Sequence, residues 1–161
     1  TGARFGRINI IGNSGASNVS LPVRVRAEYW NGSVFAPNDQ DSCTALSRSQ
    51  VGMTFNGLAS CATPFTTAAV TFSAGAASWV LTAPGASSSG AVDLRVNLGG
   101  ATGTACTPGA SAAGSAAMSY LQYPWTNPAG TPTDDPIARA TFGTYGQDRL
   151  PNNVIFRREN F

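Results

Sequence analysis

From Leu21 to Tyr29 the chain alternates. Leu21, Val23, Val25, Ala27 and Tyr29 are apolar, and Pro22, Arg24, Arg26 and Glu28 stand between them. A strand points successive side chains to opposite faces, so this run predicts a half-buried strand with a charged outer face. Asn31-Gly32 follows, a strong hairpin signal, and Val34-Phe35 begin the return. The same period recurs at Val92, Leu94, Val96 and Leu98, and again at Ile8 and Ile10 against Arg7 and Asn9. Weaker strands are predicted at Val51–Phe55, Ala68–Phe72, Ser78–Leu81 and Met118–Tyr123. Turn chemistry separates them at Asn56-Gly57, Ser73-Ala74-Gly75, Ala83-Pro84-Gly85 and Gly99-Gly100.

No segment carries an apolar stripe at helical spacing with caps. Ala110–Met118 is the best helix candidate, but Gly114 and two serines make a loop or a single turn an equal reading. Many short strands divided by Gly/Pro turns predict an all-β fold, an antiparallel β-sandwich of immunoglobulin-like or jelly-roll type, with a closed barrel as the alternative. Gly99–Gly114 and the proline-rich Pro124–Pro136 are expected to be long loops. The closing stretch, Ala138 to Phe161, predicts two antiparallel strands around a polar turn. Ala140 and Phe142 face one side, Arg139 and Thr141 the other, and Val154 and Phe156 point inward on the second strand. Such a pair would close an edge of the sandwich.

Composition narrows the function. The 161 residues suit one domain, 1–161. Only 11% are charged, less than half the usual share, which leaves a surface of Ser, Thr, Asn, Gly and Ala. No apolar run reaches the ~20 residues a spanning helix needs, so membrane insertion is not expected. The ten arginines are scattered, with no dense basic patch of the kind that binds nucleic acid. Histidine is absent, which removes the commonest general base and metal ligand and excludes a Ser-His-Asp or Cys-His site built from one chain. No catalytic residue and no cofactor is predicted. Thr1-Gly2-Ala3-Arg4 does not read as a translation start, so the chain is expected to be an excised or processed piece of something longer.

Cys43, Cys61 and Cys106 allow three single pairings. One disulfide among them plus one free, buried cysteine is expected; no disulfide at all is the alternative. Asp39 and Asp41 are weak calcium candidates, since oxygen ligands at that spacing suit a hard cation, but an Asx turn explains them equally. Trp125, Asn127, Asp134 and Asp135 form the candidate ligand site, with an indole to stack on a sugar ring and oxygen groups to bond its hydroxyls. The bland alternative has Trp125 filling a core end and the acids solvating a loop. Glu28, Asp93 and Glu159 are the strand acids a glycoside hydrolase would need as a facing pair, although nearby arginines, Arg26 and Arg95, offer surface charge pairing instead.

Several motifs carry a resemblance. RAEYWNG (Arg26–Gly32), DSCT (Asp41–Thr44), the APG turn with its flanking strands, and ARATFGTY (Ala138–Tyr145) with the final Arg158-Glu159 resemble the DUF6701 family over nearly the whole chain. That family takes in the C-terminal part of the MSHA-type pilus biogenesis protein MshQ and similar large secreted bacterial proteins. In this chain Pro124 to Gly130 replaces an acidic stretch of the family, Pro151-Asn152-Asn153 is an insertion, and Cys61 and Cys106 lie outside the pattern. The resemblance implies an extracellular or bacterial cell-surface module, the C-terminal piece of a longer secreted protein. The expected function is non-enzymatic: assembly, capping or anchoring, with other subunits of a surface or pilus assembly as partners, self-association included. A carbohydrate-binding adhesin tip is the alternative, with a glycan as partner, and a carboxylate-dependent hydrolase a further one.

Overall fold

The structure is a computed structural model that describes residues 5–127 and 129–143. The described chain runs through β1 (Gly6–Ile11), β2 (Ser14–Gly15), β3 (Leu21–Trp30), β4 (Phe35–Pro37), β5 (Ala45–Ser47), β6 (Val51–Asn56), β7 (Ala69–Thr71), β8 (Ala76–Leu81), β9 (Gly90–Val96), β10 (Thr104–Thr107), β11 (Ala110–Ala112) and β12 (Ile137–Phe142). Single 3-10 turns lie at Arg48–Gln50 and Ser119–Leu121. The fold is an all-β sandwich. In one sheet β3 pairs antiparallel with β1 on one side and with β4 and β8 on the other. The facing sheet runs β11-β10-β6-β9-β12-β2, and β5 and β7 form a small separate pair. Immunoglobulin domains divide strands A, B, E and D from C, F and G. Here β1, β3 and β8 take the A-B-E places and β6, β9 and β12 the C-F-G places.

Alternation explains the core. Leu21, Val23, Val25 and Ala27 of β3 face Val92, Leu94 and Val96 of β9 across the sandwich, all buried. Trp79 of β8 is fully buried and stacks on Phe65 at a 5.0 Å centroid distance. Ala138, Ala140 and Phe142 point inward from β12, while Arg139 and Thr141 point out, as the period predicts. Between the sheets the chain passes at Gly12, where a Cβ would run into the Arg139 carbonyl. Without that side chain β1 can leave the first sheet, and β2 pairs parallel with β12 in the second.

Some predicted elements differ. Met118–Tyr123 is no strand. Met118 and Leu121 both pack on the core, a spacing of three that suits one turn rather than a pleat, while Tyr120 is 71% exposed. Ala110–Met118 is not helical: it begins as β11 and continues as an extended loop, and within the predicted loop Gly99–Gly114 β10 and β11 form a hairpin. Asn31-Gly32 sits in a four-residue connection instead of a two-residue turn. The Asn31 side-chain oxygen accepts from the Ser33 and Val34 amides, so pairing resumes only at Phe35. Cys61 and Cys106 form the disulfide, tying the β6–β7 connection to β10. The free Cys43 is exposed and not buried as expected, because it lies in a polar turn closed by Asp41. The second strand of the predicted closing pair, with Glu159, lies outside the described residues.

Candidate binding site

On β1 the outward positions are Arg7, Asn9 and Ile11, and the register sets Arg7 opposite Glu28. Arg7 Nε donates to Glu28 Oε2 at 2.7 Å, and Asn9 Nδ2 donates to Oε1 at 3.2 Å. Glu28 therefore pairs across the strands and not with Arg26, and it is buried instead of lying on an exposed face. The Arg7 guanidinium carbon lies 3.7 Å from the Phe35 ring centroid, 4.6 Å from Tyr123 and 4.5 Å from Trp125. Three aromatic faces thus share one cation, an arrangement that electrostatics favours at partly desolvated sites. Phe35 arrives on β4; Tyr123 and Trp125 arrive on the loop after the second 3-10 turn, so Arg7 pins that loop to the first sheet.

The paired acids pin the same loop at its other end. Asp134 Oδ2 accepts from the Thr126 amide at 2.9 Å and its hydroxyl at 2.7 Å. Those bonds, with Arg95 nearby, hold the Asp134 carboxyl below the usual aspartate range despite a small opposing effect of desolvation. Asp135 is 7% exposed, and its Oδ1 accepts from the amides of Leu98 (3.0 Å) and Gly99 (3.3 Å) and from Gln122 Nε2 (2.8 Å). It staples the loop to the end of β9.

Of the four residues predicted for a ligand site, Trp125, Asp134 and Asp135 come together around one cavity of about 360 Å³, shared with Asn9, Arg95 and Ile137. Asn127 does not line it; it is exposed and bonds within its own turn. Trp125 is half-buried, with Arg7 over its ring, so it fits neither a bare stacking platform nor a core plug. Asn9 and Arg95 were legible in the sequence only as a strand position and a charge partner for Asp93, and neither they nor Ile137 stood out as site residues. Each sits at an outward strand position, a visible signal, but their convergence depends on register between strands far apart in the chain.

The remaining candidates stay apart. Asp41 Oδ1 accepts from the Cys43 and Thr44 amides at 3.1 and 2.9 Å, which is the Asx turn. Burial pushes its carboxyl up, but the bonds from Thr44 and Cys43 outweigh this and hold it low. Asp39 bonds only its neighbour Gln40 among the described residues, and no group of three metal-ligating side chains occurs among them. Asp93 lies on the sheet opposite Glu28 and is held by Arg139 through two bonds of 2.6 and 2.8 Å.

Strand order and the stapled loop define an immunoglobulin-type β-sandwich domain in which the connection leading into β12 lies across a sheet face. A family model, that of the fourth domain of DUF6701, matches residues 4–160. The chain belongs to this family, and the matched range includes the motifs that resembled DUF6701. No curated protein and no solved structure matches it.

Proposed function

We propose that the domain is a non-enzymatic extracellular module of a bacterial surface or pilus-associated protein, of the MshQ kind, and works by contact with other protein subunits in assembly, capping or anchoring. One observation carries this reading: Phe5 and Trp30, 45% and 43% exposed, lie against Phe35, and Val34, 56% exposed, precedes it in the connection from β3 to β4. Contiguous exposed apolar side chains of this kind mark contact surfaces. The low charge density lessens the desolvation penalty when such a face is covered. A disulfide accords with an oxidising compartment. Glu28 and Asp93, the strand acids a hydrolase would use, are each tied to an arginine on different sheets, which favours a non-catalytic role.

Light scattering and electron microscopy of the purified chain test the reading. The expected result is a mass that rises with concentration above the 16.5 kDa protomer and returns to it in a Trp30→Ser, Val34→Ser variant. A strictly monomeric chain, or assembly indifferent to both substitutions, would overturn it.

A further inference from the structure

The outer face of the six-stranded sheet carries a groove that meets the ring cluster around Arg7 at Trp125. A cavity of about 320 Å³ over β6 and β9 meets the cavity of about 360 Å³ beside the stapled loop, and Arg95 and Ile137 line both. The first is walled by the Thr102–Gly103 backbone, which lies directly on Gly52, in register with Arg95, where a Cβ would run into the Thr102 carbonyl. Arg95 makes no hydrogen bond among the described residues and acts on Asp134 only through its charge, so its donors are open where the two cavities meet. Acceptors flank it. Asp134 uses Oδ2 for Thr126, and Asn9 uses its amide nitrogen for Glu28, which leaves Asp134 Oδ1 and Asn9 Oδ1 without donors among the described residues. Ile137, 52% exposed, and Trp125 supply an apolar wall.

These features select a chemistry. Open donors and acceptors beside an apolar wall match a molecule whose groups both donate and accept and which also has a C–H face, as sugars do. Charge does not favour an acid: Arg95 stands beside Asp134 and Asp135 at one end, and Asp93 at the other is already held by Arg139. Extended peptides add to sheet edges through backbone bonds, whereas this groove crosses a sheet face and offers mainly side chains. We infer that the groove binds a neutral oligosaccharide, with Arg95 at its centre and Asn9, Asp134 and Ile137 around it.

The test is nitrogen–proton NMR of the chain titrated with cellohexaose, maltohexaose, xylohexaose, mannohexaose and chitohexaose, with trigalacturonic acid as the anionic comparison. At least one neutral sugar is expected to shift the Trp125 indole N–H and the Arg95 Nε–H saturably. Arg95→Ala and Ile137→Ser each remove a side chain that makes no hydrogen bond among the described residues, so the fold should survive, and each should weaken binding about tenfold or more. Arg24→Ala, on the other sheet, should leave affinity unchanged. The inference falls if no sugar shifts these signals, if the shifts map elsewhere, if Arg95→Ala leaves affinity within about twofold, or if trigalacturonic acid binds more tightly than every neutral sugar. The assembly reading is tested through Trp30 and Val34, which line neither cavity, so failure here leaves it to its own experiment.

Discussion

Replacing Asp135 with alanine removes one acceptor atom that serves three donors. The consequences differ by donor. Leu98 is fully buried, so its amide has no water to turn to, and an orphaned buried donor costs about 1–3 kcal/mol. Gly99 is exposed, so its amide recovers a partner from solvent. Gln122 is buried but still donates to the Thr133 carbonyl at 3.0 Å, and loses only part of its satisfaction. Together these amount to about 2–4 kcal/mol. At roughly 2–4 °C per kcal/mol for a chain of this size, Tm should fall by about 5–15 °C. Asp135→Asn keeps an oxygen in place and gives up the charge assistance, so it should fall in between, at about 1 kcal/mol. The assay is thermal unfolding by circular dichroism and by calorimetry, with coincidence of the two as the check on two-state behaviour. Hydrogen exchange at the Leu98 amide should accelerate in the alanine variant. If Asp135→Ala melts with the wild type, or if Asp135→Asn is equally damaging, the staple is not what holds the loop.

Other perturbations separate the remaining interactions. Reduction of Cys61–Cys106, which spans 45 positions, should lower stability by about 2–4 kcal/mol, read as a shifted guanidinium midpoint with and without reductant; Cys43→Ser should leave the midpoint unchanged. Arg7→Ala strands the buried Glu28 carboxylate and should cost about 3 kcal/mol or more, while adding Glu28→Gln should recover part of the lost Tm; Arg7→Lys, which keeps charge but loses the planar contact with three rings, should fall between. The bond from Arg139 chiefly holds the Asp93 carboxyl below its unfolded value, against a smaller effect of burial. A depressed folded pKa contributes stability above the unfolded pKa and loses it as pH falls through the folded one. The Tm gap between wild type and Asp93→Asn should therefore be present at neutral pH and close in acid; a gap constant with pH would count against the pairing.

The strands that alternate were readable because one face of each is core: Leu21 to Ala27, Val92 to Leu98 and Ala138 to Phe142 are buried where the period puts them. Met118 and Leu121 misled because a few apolar residues fit a turn as well as a pleat, and only packing decides. The site was half visible. Asp134 and Asp135 stand out in a proline-rich loop, but their roles diverge, one bonding its own loop and the other the end of β9, and adjacency in sequence says nothing of that. Arg7 and Arg95 were hidden among scattered arginines. Their surroundings come from strands and loops that meet only after the sheets assemble.

Aromatic faces around a cation are also how proteins capture methylated lysine or choline. In this domain Arg7 already fills that position, fastened by Glu28. A quaternary ammonium guest would have to evict the guanidinium and leave the carboxylate nearly alone in a buried setting. The pocket of rings is thus closed to outside ammonium compounds, and its selectivity is spent on the chain's own side chain.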